Sequence, residues 1–173
     1  MIYQYKLYPD GRSCFPYASN AIKYIYQVDP SEVVSDASKV FELFHPEDFD
    51  YIIQSLKESA EKLKPWRYDY RVKYNDGTIR YLSGSALPQK EEDGSVIWYG
   101  FIHDITEKKQ VEEKVLQLSR AVEQSPASIV ITDTKGNIQY VNSKFSKITG
   151  YSIEEAVGKN PRILKSGKTS AHD

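Results

Sequence analysis

Few side chains in this sequence could perform chemistry, and they are scattered. Ser166-Gly167-Lys168-Thr169 ends like a phosphate-binding loop, but such a loop needs a glycine five residues before Gly167, where the chain has Arg162. The loop must also follow a strand, whereas this segment predicts helix and loop. We therefore interpret the match as accidental.

The histidines His45, His103 and His172 and the single cysteine Cys14 predict neither a metal site nor a nucleophile. Their separations match no zinc spacing, and no nucleophile can be paired with a base from the sequence. One cysteine also excludes an intramolecular disulfide and favours a reducing cytoplasm. The sequence thus predicts no catalytic residue, no metal and no enzyme activity within these residues.

The composition excludes several classes of protein. The chain has 173 residues, 23 Lys+Arg against 24 Asp+Glu, and 40% hydrophobic residues, which is enough for one domain or two small ones. The balanced charge argues against a nucleic-acid partner, and no apolar run is long enough to span a bilayer. The 14 tyrosines fit either a tyrosine-rich β core or a pocket lined by hydroxyls.

The first 106 residues predict an α+β domain. Alternating residues around Asp10-Gly11 indicate a β-hairpin, residues 19–61 indicate short helical pieces, and a longer helix is expected from Pro46 to about Leu63. From Trp66 the period changes to two, and turns at 75–77 and 93–94 separate three strands. The expected fold is a five-stranded antiparallel sheet with helices on one face.

Residues 107–125 predict a linker helix. Val111, Val115, Leu118 and Val122 recur at spacings of four, three and four, which is the a/d seam of a coiled coil. The helix could instead pack on its own domain. The narrow stripe favours a seam between two chains, and hence a homodimer.

Residues 126–173 predict the start of a second copy of the same fold. Ser19–Val34 aligns without gaps with Asn142–Val157, and the hairpins before both segments turn on glycine. The expected organisation is a domain at 1–106, the helix at 107–125 and the first half of a repeated domain at 126–173. The chain is thus expected to be a fragment of a longer protein.

Several motifs of the first segment occur in a characteristic order. They are Phe44-His45-Pro46-Glu47-Asp48, Tyr70-Arg71-Val72, Asp76-Gly77-Thr78, Asp93-Gly94 with Trp98 and Gly100, and Asp104-Ile105-Thr106-Glu107. Together they resemble a PAS domain of the sensory-box type with its PAC half. The resemblance implies the PAS fold and a relay from the last strand into the helix through Asp104, Ile105, Thr106 and Glu107.

The second segment resembles the start of another PAS domain. Gly158-Lys159-Asn160-Pro161-Arg162 is similar to the flavin-contacting motif of LOV photoreceptors, but Pro161 stands where those receptors have the photoreactive cysteine. LOV-type photochemistry is therefore excluded. Asn160, Arg162 and Lys165 are the residues that would contact a flavin. The preferred interpretation is no cofactor, with flavin in the second domain as the alternative and haem disfavoured.

The resemblance places a ligand between the sheet and the helices of the first domain. The candidate lining residues are Phe15, Tyr17, Tyr51, Tyr68, Tyr70, Leu82, Trp98 and Phe101. The expected function is to sense a small molecule or redox state and to signal to an output domain in the same chain, such as a diguanylate cyclase, a phosphodiesterase or a histidine kinase. The alternatives are a ligand-free dimerisation spacer and a fragment of a parent enzyme.

Overall fold

A computed structural model describes residues 1–164. They fall into two compact units, of which the first comprises Met1–Gln110 and the second begins at Val111. The 166–169 loop, Lys165 and His172 lie outside the described residues.

The first unit contains one five-stranded antiparallel sheet. Its strands are β1 (Ile2–Leu7), β2 (Ser13–Ala18), β3 (Trp66–Lys73), β4 (Ile79–Lys90) and β5 (Val96–Asp104). The strand order is β2-β1-β5-β4-β3, so the first strand lies between the second and the last. The predicted hairpin and three-stranded meander are both confirmed.

Four helices connect β2 to β3. They are α1 (Ile22–Ile25), α2 (Pro30–Val33), α3 (Ser38–Phe41) and α4 (Pro46–Lys62). The long helix α4 begins with a proline and two acidic residues, where the missing N–H and the negative charges suit the helix N-terminus. It ends at Leu63, whose left-handed conformation (φ 47°) stops the helix.

The core lies between these helices and one face of the sheet. Aromatic and branched side chains from both layers form a single buried cluster, which includes Tyr3, Tyr5, Phe15, Ile22, Tyr26, Val33, Val40, Phe44, Ile52, Tyr70, Val72, Leu82, Trp98 and Ile102. The helices therefore cover the sheet on one side, as the sequence predicted.

Gly100 on β5 permits a close approach of two strands. A Cβ atom at Gly100 would lie 2.5 Å from the Ser85 carbonyl oxygen and 2.6 Å from Ala86 Cβ. We therefore expect Gly100→Ala to lower the free energy of unfolding by about 1–3 kcal/mol, because backbone must shift. Urea unfolding followed by far-UV circular dichroism would measure this.

Gly84 provides the comparison for that substitution. A Cβ atom there would meet the outer edge of the Trp66 indole at 2.4 Å, a side chain rather than backbone. Gly84→Ala should therefore cost less than Gly100→Ala. An equal or larger loss at Gly84 would contradict the role assigned to the strand contact at Gly100.

Helix α5 (Thr106–Glu123) begins in the first unit and continues in the second. The second unit then has β6 (Val130–Thr132), β7 (Ile138–Val141), α6 (Ser143–Thr149), α7 (Ile153–Ala156) and a 3-10 turn at Pro161–Leu164. Its small core comprises Ile138, Val141, Phe145 and Ala156.

The two units share a local structure at the positions that the sequence alignment pairs. Asp29 caps α2 and forms a reciprocal capping box with Glu32. Ser152 caps α7 and forms the same box with Glu155. Each box satisfies two helix N–H groups, so the aligned residues form the same turn in both segments.

Candidate functional site

The first unit has a small cavity between the sheet and the helices. Its volume is about 30 Å³, roughly the space of one water molecule. Twelve mostly aromatic side chains line it: Tyr3, Tyr5, Phe15, Tyr26, Val40, Phe41, Phe44, Ile52, Leu56, Trp66, Tyr70 and Ile102. The aromatic residues thus fill most of the space in which a ligand was expected.

Four tyrosines line this cavity: Tyr3, Tyr5, Tyr26 and Tyr70. The hydroxyls of Tyr26 and Tyr70 hydrogen-bond to each other, and the Tyr5 hydroxyl hydrogen-bonds to Ser13. Burial raises the pKa of all four phenols above the usual value because it disfavours the charged form. The four hydroxyls therefore stay protonated, and each can donate or accept a hydrogen bond.

Two indole groups attach the long helix to the sheet. Trp98 Nε1 on β5 donates to Ser59 Oγ at 2.9 Å, and Trp66 Nε1 on β3 donates to Ser55 Oγ at 2.8 Å. Ser55 and Ser59 are one helical turn apart and so lie on the same face of α4. Neither serine was predicted as a contact from the sequence, although their spacing on a predicted helix was a usable signal.

A surface groove adjoins the cavity. It lies between the β1–β2 hairpin, α3 and α4, with a volume of about 720 Å³, which is within the range of small-molecule sites. Tyr5, Phe41 and Leu56 line both the groove and the cavity. These three side chains therefore separate the cavity from the surface.

Five of the eight predicted pocket residues contribute to the core or its edge. Phe15 and Tyr70 line the cavity. Leu82 and Trp98 are fully buried in the surrounding core, and Tyr68 is half-buried against it. Tyr3, Tyr5 and Tyr26 also line the cavity and were not among the predicted pocket residues, although Tyr3 and Tyr5 alternate on the predicted first strand.

Three predicted pocket residues instead lie at the surface, so the expectation was wrong for them. Tyr17 is 52% exposed, Tyr51 65% and Phe101 45%. The register of β2 against β1 shifts between Phe15 and Tyr17, which turns Tyr17 to the outer face. Phe101 is three residues from Trp98 and so has the opposite parity on its strand.

Tyr51 is exposed for a different reason. It precedes Ile52, which is fully buried on α4. Adjacent helix residues are about 100° apart around the axis, so the buried position of Ile52 turns Tyr51 away from the sheet.

The end of β5 is held by hydrogen bonds where the signal relay was predicted. Ile105 N donates to the Tyr81 carbonyl at 2.8 Å, and Tyr81 N donates to Thr106 Oγ1 at 3.0 Å. The Asp104 carboxylate accepts from Thr106 N and from Arg80. Glu107 follows in the first turn of α5. The strand and the start of the helix are therefore both attached to β4.

The far end of α5 is attached to the second unit through Asn142. This fully buried amide donates to the carbonyls of Val122 and Ala127 at 3.0 Å each. Its oxygen accepts from the N–H groups of Ile129 and Phe145. Asn142 thus joins the last turns of α5 to the hairpin and helix that follow.

The predicted dimer seam lies on the surface of α5. Val111, Val115 and Leu118 are 58%, 61% and 58% exposed, and Val122 is half-buried. No residue of α5 is buried within the chain. The helix therefore presents its apolar stripe without covering it on its own domain.

The predicted flavin-contacting residues are only partly described. Asn160 Nδ2 donates to the Gly136 carbonyl at 3.1 Å, and its oxygen accepts from Arg162 N. The Nδ2 contact thus ties the segment to the hairpin turn at Gly136, and the oxygen contact stays within the segment. Arg162 is exposed, and Lys165 lies outside the described residues. Within residues 1–164 no cluster of His, Cys, Asp or Glu could hold a metal ion.

Two family models match the chain over residues 15–102 and 116–172, and both describe the PAS fold. The chain belongs to the PAS family. The first match covers the four helices and the strands of the first unit other than β1. The second covers the last eight residues of α5 and the strands and helices that follow it. The first unit is thus a PAS sensory domain, and the second is part of another PAS domain.

Relatives of this PAS chain include two signalling proteins. "Probable diguanylate cyclase DgcE" of Escherichia coli is 25% identical over 140 residues, which is 78% of this chain and 12% of that protein. "Peroxide stress-activated histidine kinase mak1" of Schizosaccharomyces pombe is 25% identical over 130 residues, or 68% of this chain and 8% of that protein. The chain therefore spans about a tenth of the length of these relatives.

A solved structure shows the same fold. The N-terminal domain of a diguanylate cyclase with a PAS/PAC sensor from Marinobacter aquaeolei superposes with a TM-score of 0.52 at 18% identity. The match covers 63% of this chain and 99% of that one. Among residues 1–164, no helix combines the length and the apolar character needed to cross a membrane.

Proposed function

We propose that this PAS chain senses a small molecule in the first unit and relays the change through α5. One observation carries the proposal: β5 contributes Ile102 to the lining of the cavity and ends in the hydrogen-bonded connection to α5. A strand that contacts the binding site and is continuous with the output helix can couple the two.

The contacts of Tyr5 provide the first step of the relay. Its ring lines the cavity and lies 5.5 Å from the Trp98 ring, centroid to centroid. Packed interiors transmit displacement because they contain few voids. A ligand that moves Tyr5 would therefore press on Trp98 and shift β5, and with it the hydrogen bonds of Asp104 and Thr106.

The exposed stripe of α5 is the proposed output. Val111, Val115, Leu118 and Val122 would pair with the same residues of a second chain as a parallel coiled coil. A coiled coil of two heptads has only marginal stability alone. A small change at the start of the helix can therefore alter the pairing of the two chains. Asn142 at the far end would pass the change to the second unit.

Replacing Val115 and Leu118 by aspartate should prevent the proposed dimer. The apolar seam would then carry two charges per helix, and burying them without partners is costly. Light scattering after gel filtration should give about twice 19.9 kDa for the native chain and the monomer mass for the double variant, with a dissociation constant at least about 10-fold higher.

Leu116→Asp is the matched control for that experiment. Leu116 is on the same helix and equally exposed, but it lies outside the a/d seam. It should leave the mass at the dimer value. An unchanged mass for the double variant, or a monomer for Leu116→Asp, would contradict the proposed seam.

The relatives support an output domain elsewhere in the same protein. Both named relatives are signalling proteins much longer than the aligned segment. We propose that this chain regulates a diguanylate cyclase, phosphodiesterase or histidine kinase domain in the same cytoplasmic protein and is not itself catalytic. A flavin held by Asn160, Arg162 and Lys165 in a complete second domain is the alternative input, and an absorption spectrum of that domain tests it.

A ligand-free dimerisation spacer is the second candidate function. The small volume of the cavity favours it, because aromatic side chains already occupy the site. The two candidates differ in one measurable property. A spacer would bind no small molecule between the sheet and the helices, whereas a sensor would.

A further inference from the structure

The C-terminal end of α1 is held by two side chains from the β3–β4 hairpin. The Tyr74 hydroxyl donates to the Ile25 carbonyl oxygen at 2.7 Å, and Arg80 Nη1 donates to the Tyr24 carbonyl oxygen at 3.0 Å. Carbonyl groups in the last turn of a helix have no partner within the helix. These two bonds therefore fix the end of α1 against the hairpin.

Arg80 has a second partner at the start of α5. The same nitrogen, Nη1, lies 3.3 Å from Asp104 Oδ2. The other oxygen of this carboxylate accepts from the N–H of Thr106, the first residue of α5, at 2.9 Å. The guanidinium group also lies over the Tyr74 ring, 5.3 Å from its centroid, and this cation–π contact helps to orient it. One side chain thus joins the end of α1 to the start of α5.

The end of α1 is also part of the wall of the cavity. Tyr26 directly follows α1, is fully buried and lines the cavity, where its hydroxyl hydrogen-bonds to that of Tyr70. The carbonyl groups of Tyr24 and Ile25 lie in the two residues immediately before it. A displacement of the Tyr26 ring would therefore move the backbone that Arg80 binds.

We propose that Arg80 is a positioning residue that couples the cavity to the start of α5 through Tyr26 and the end of α1. Because both acceptors bond to one nitrogen, the guanidinium group cannot follow the Tyr24 carbonyl without changing its distance to Asp104. This route does not pass along β5. The proposal rests on the proposed sensory function and adds a second contact by which the cavity acts on the helix.

A double-mutant cycle on the whole chain tests the coupling, with amide hydrogen exchange measured by NMR. Tyr26→Leu changes the wall of the cavity, and Arg80→Met removes the guanidinium group while keeping an apolar stem. The amides of Thr106 and Lys109 report the start of α5, since Lys109 N donates to the Ile105 carbonyl at 3.0 Å.

Two amides elsewhere in the first unit serve as references. His45 N donates to the Arg71 carbonyl and Lys73 N to the Leu43 carbonyl, so their exchange reports the stability of the rest of the unit. Arg80→Met should accelerate exchange at the start of α5 about 5- to 10-fold more than at the references, because charge-assisted bonds are lost. A merely structural role for Arg80 would accelerate exchange at both places in the same proportion.

The coupling itself is the decisive quantity. Tyr26→Leu should accelerate exchange at the start of α5 at least about 3-fold relative to the references in the native background, and have no such effect once Arg80 is methionine. If the effects of the two substitutions simply multiply, the proposal is overturned. Tyr26→Phe, which removes only the hydroxyl, takes the place of Tyr26→Leu if far-UV circular dichroism shows the latter to be unfolded.

Arg67→Met is the matched control, because it removes the same charge from an exposed position on β3. It should leave exchange at the start of α5 unchanged, and an acceleration equal to that of Arg80→Met would contradict the proposal. The cycle requires neither a ligand nor a dimer. Coupling in a native chain of monomer mass would therefore support the role of Arg80 and contradict the proposed output, whereas independent effects in a dimer would do the reverse.

Discussion

Trp98→Ala is expected to lower the free energy of unfolding of the first unit by about 3–5 kcal/mol. Trp98 is fully buried, donates to Ser59 and packs against the Tyr5 ring. Alanine would leave a large void at the centre of the core and remove the attachment of α4 to β5. Urea unfolding followed by far-UV circular dichroism is the appropriate measurement, because the substitution removes one of only two tryptophans.

The next residue on the strand provides the matched control. Tyr99 has its side chain on the outer face and is exposed, so Tyr99→Ala should cost less than about 1 kcal/mol. Equal costs at the two positions would contradict the assignment of inner and outer faces on β5.

A double-mutant cycle separates the hydrogen bond from the packing. The Ser59 hydroxyl accepts from Trp98 and donates to the Lys64 carbonyl at 2.7 Å. Trp98→Phe keeps most of the ring volume and removes the indole N–H. Combined with Ser59→Ala, it should give a coupling energy of about 0.5–1.5 kcal/mol. A coupling of zero would mean that only packing stabilises this contact.

The strands differ in how well their buried faces could be predicted from the sequence. Strict alternation assigned the inner face of β3, where Trp66, Tyr70 and Val72 are buried. On β5 each face carries aromatic residues, so alternation could not decide between Trp98 and Tyr99. The pairing of β5 with β4 decides which face of β5 is buried. Gly100 is opposite Ala86, and only the face of β5 that carries Trp98 packs against the helices.

The register shift in β2 was beyond prediction from the sequence. Tyr17 pairs with Gln4, but Cys14 pairs with Lys6, so β2 has an extra residue opposite β1. Pro16 lies within that interval and has no N–H to offer the ladder. A proline in a strand indicates an irregularity but not its direction, and the shift reversed the face expected for Tyr17.

The polar contacts of the cavity depend on tertiary geometry rather than on local pattern. Tyr26 follows a four-residue helix, and Tyr70 is on a strand more than forty positions later. Neither spacing nor periodicity brings such residues together. The apolar stripe of α5 and the capping boxes, in contrast, follow from residues three or four positions apart, and the sequence indicated the stripe.

The buried tyrosines predict that the first unit loses stability steeply above about pH 10. Burial raises the pKa of Tyr3, Tyr26 and Tyr70 in the folded chain, whereas the unfolded chain keeps the ordinary value of about 10. The stabilisation from the buried, neutral phenols is complete below the pKa that tyrosine has in the unfolded chain. It decreases as the pH rises above that value, because only the unfolded state then releases the protons. Each tyrosine contributes a slope of about 1.4 kcal/mol per pH unit.

The three phenols together should therefore lower the free energy of unfolding by about 4 kcal/mol per pH unit above pH 10. Urea midpoints measured between pH 9 and 11.5 would show it. Tyr26→Phe should reduce the slope by about 1.4 kcal/mol per pH unit whatever it costs at neutral pH. A slope that Tyr26→Phe leaves unchanged would contradict the burial of this phenol as the cause of the pH dependence.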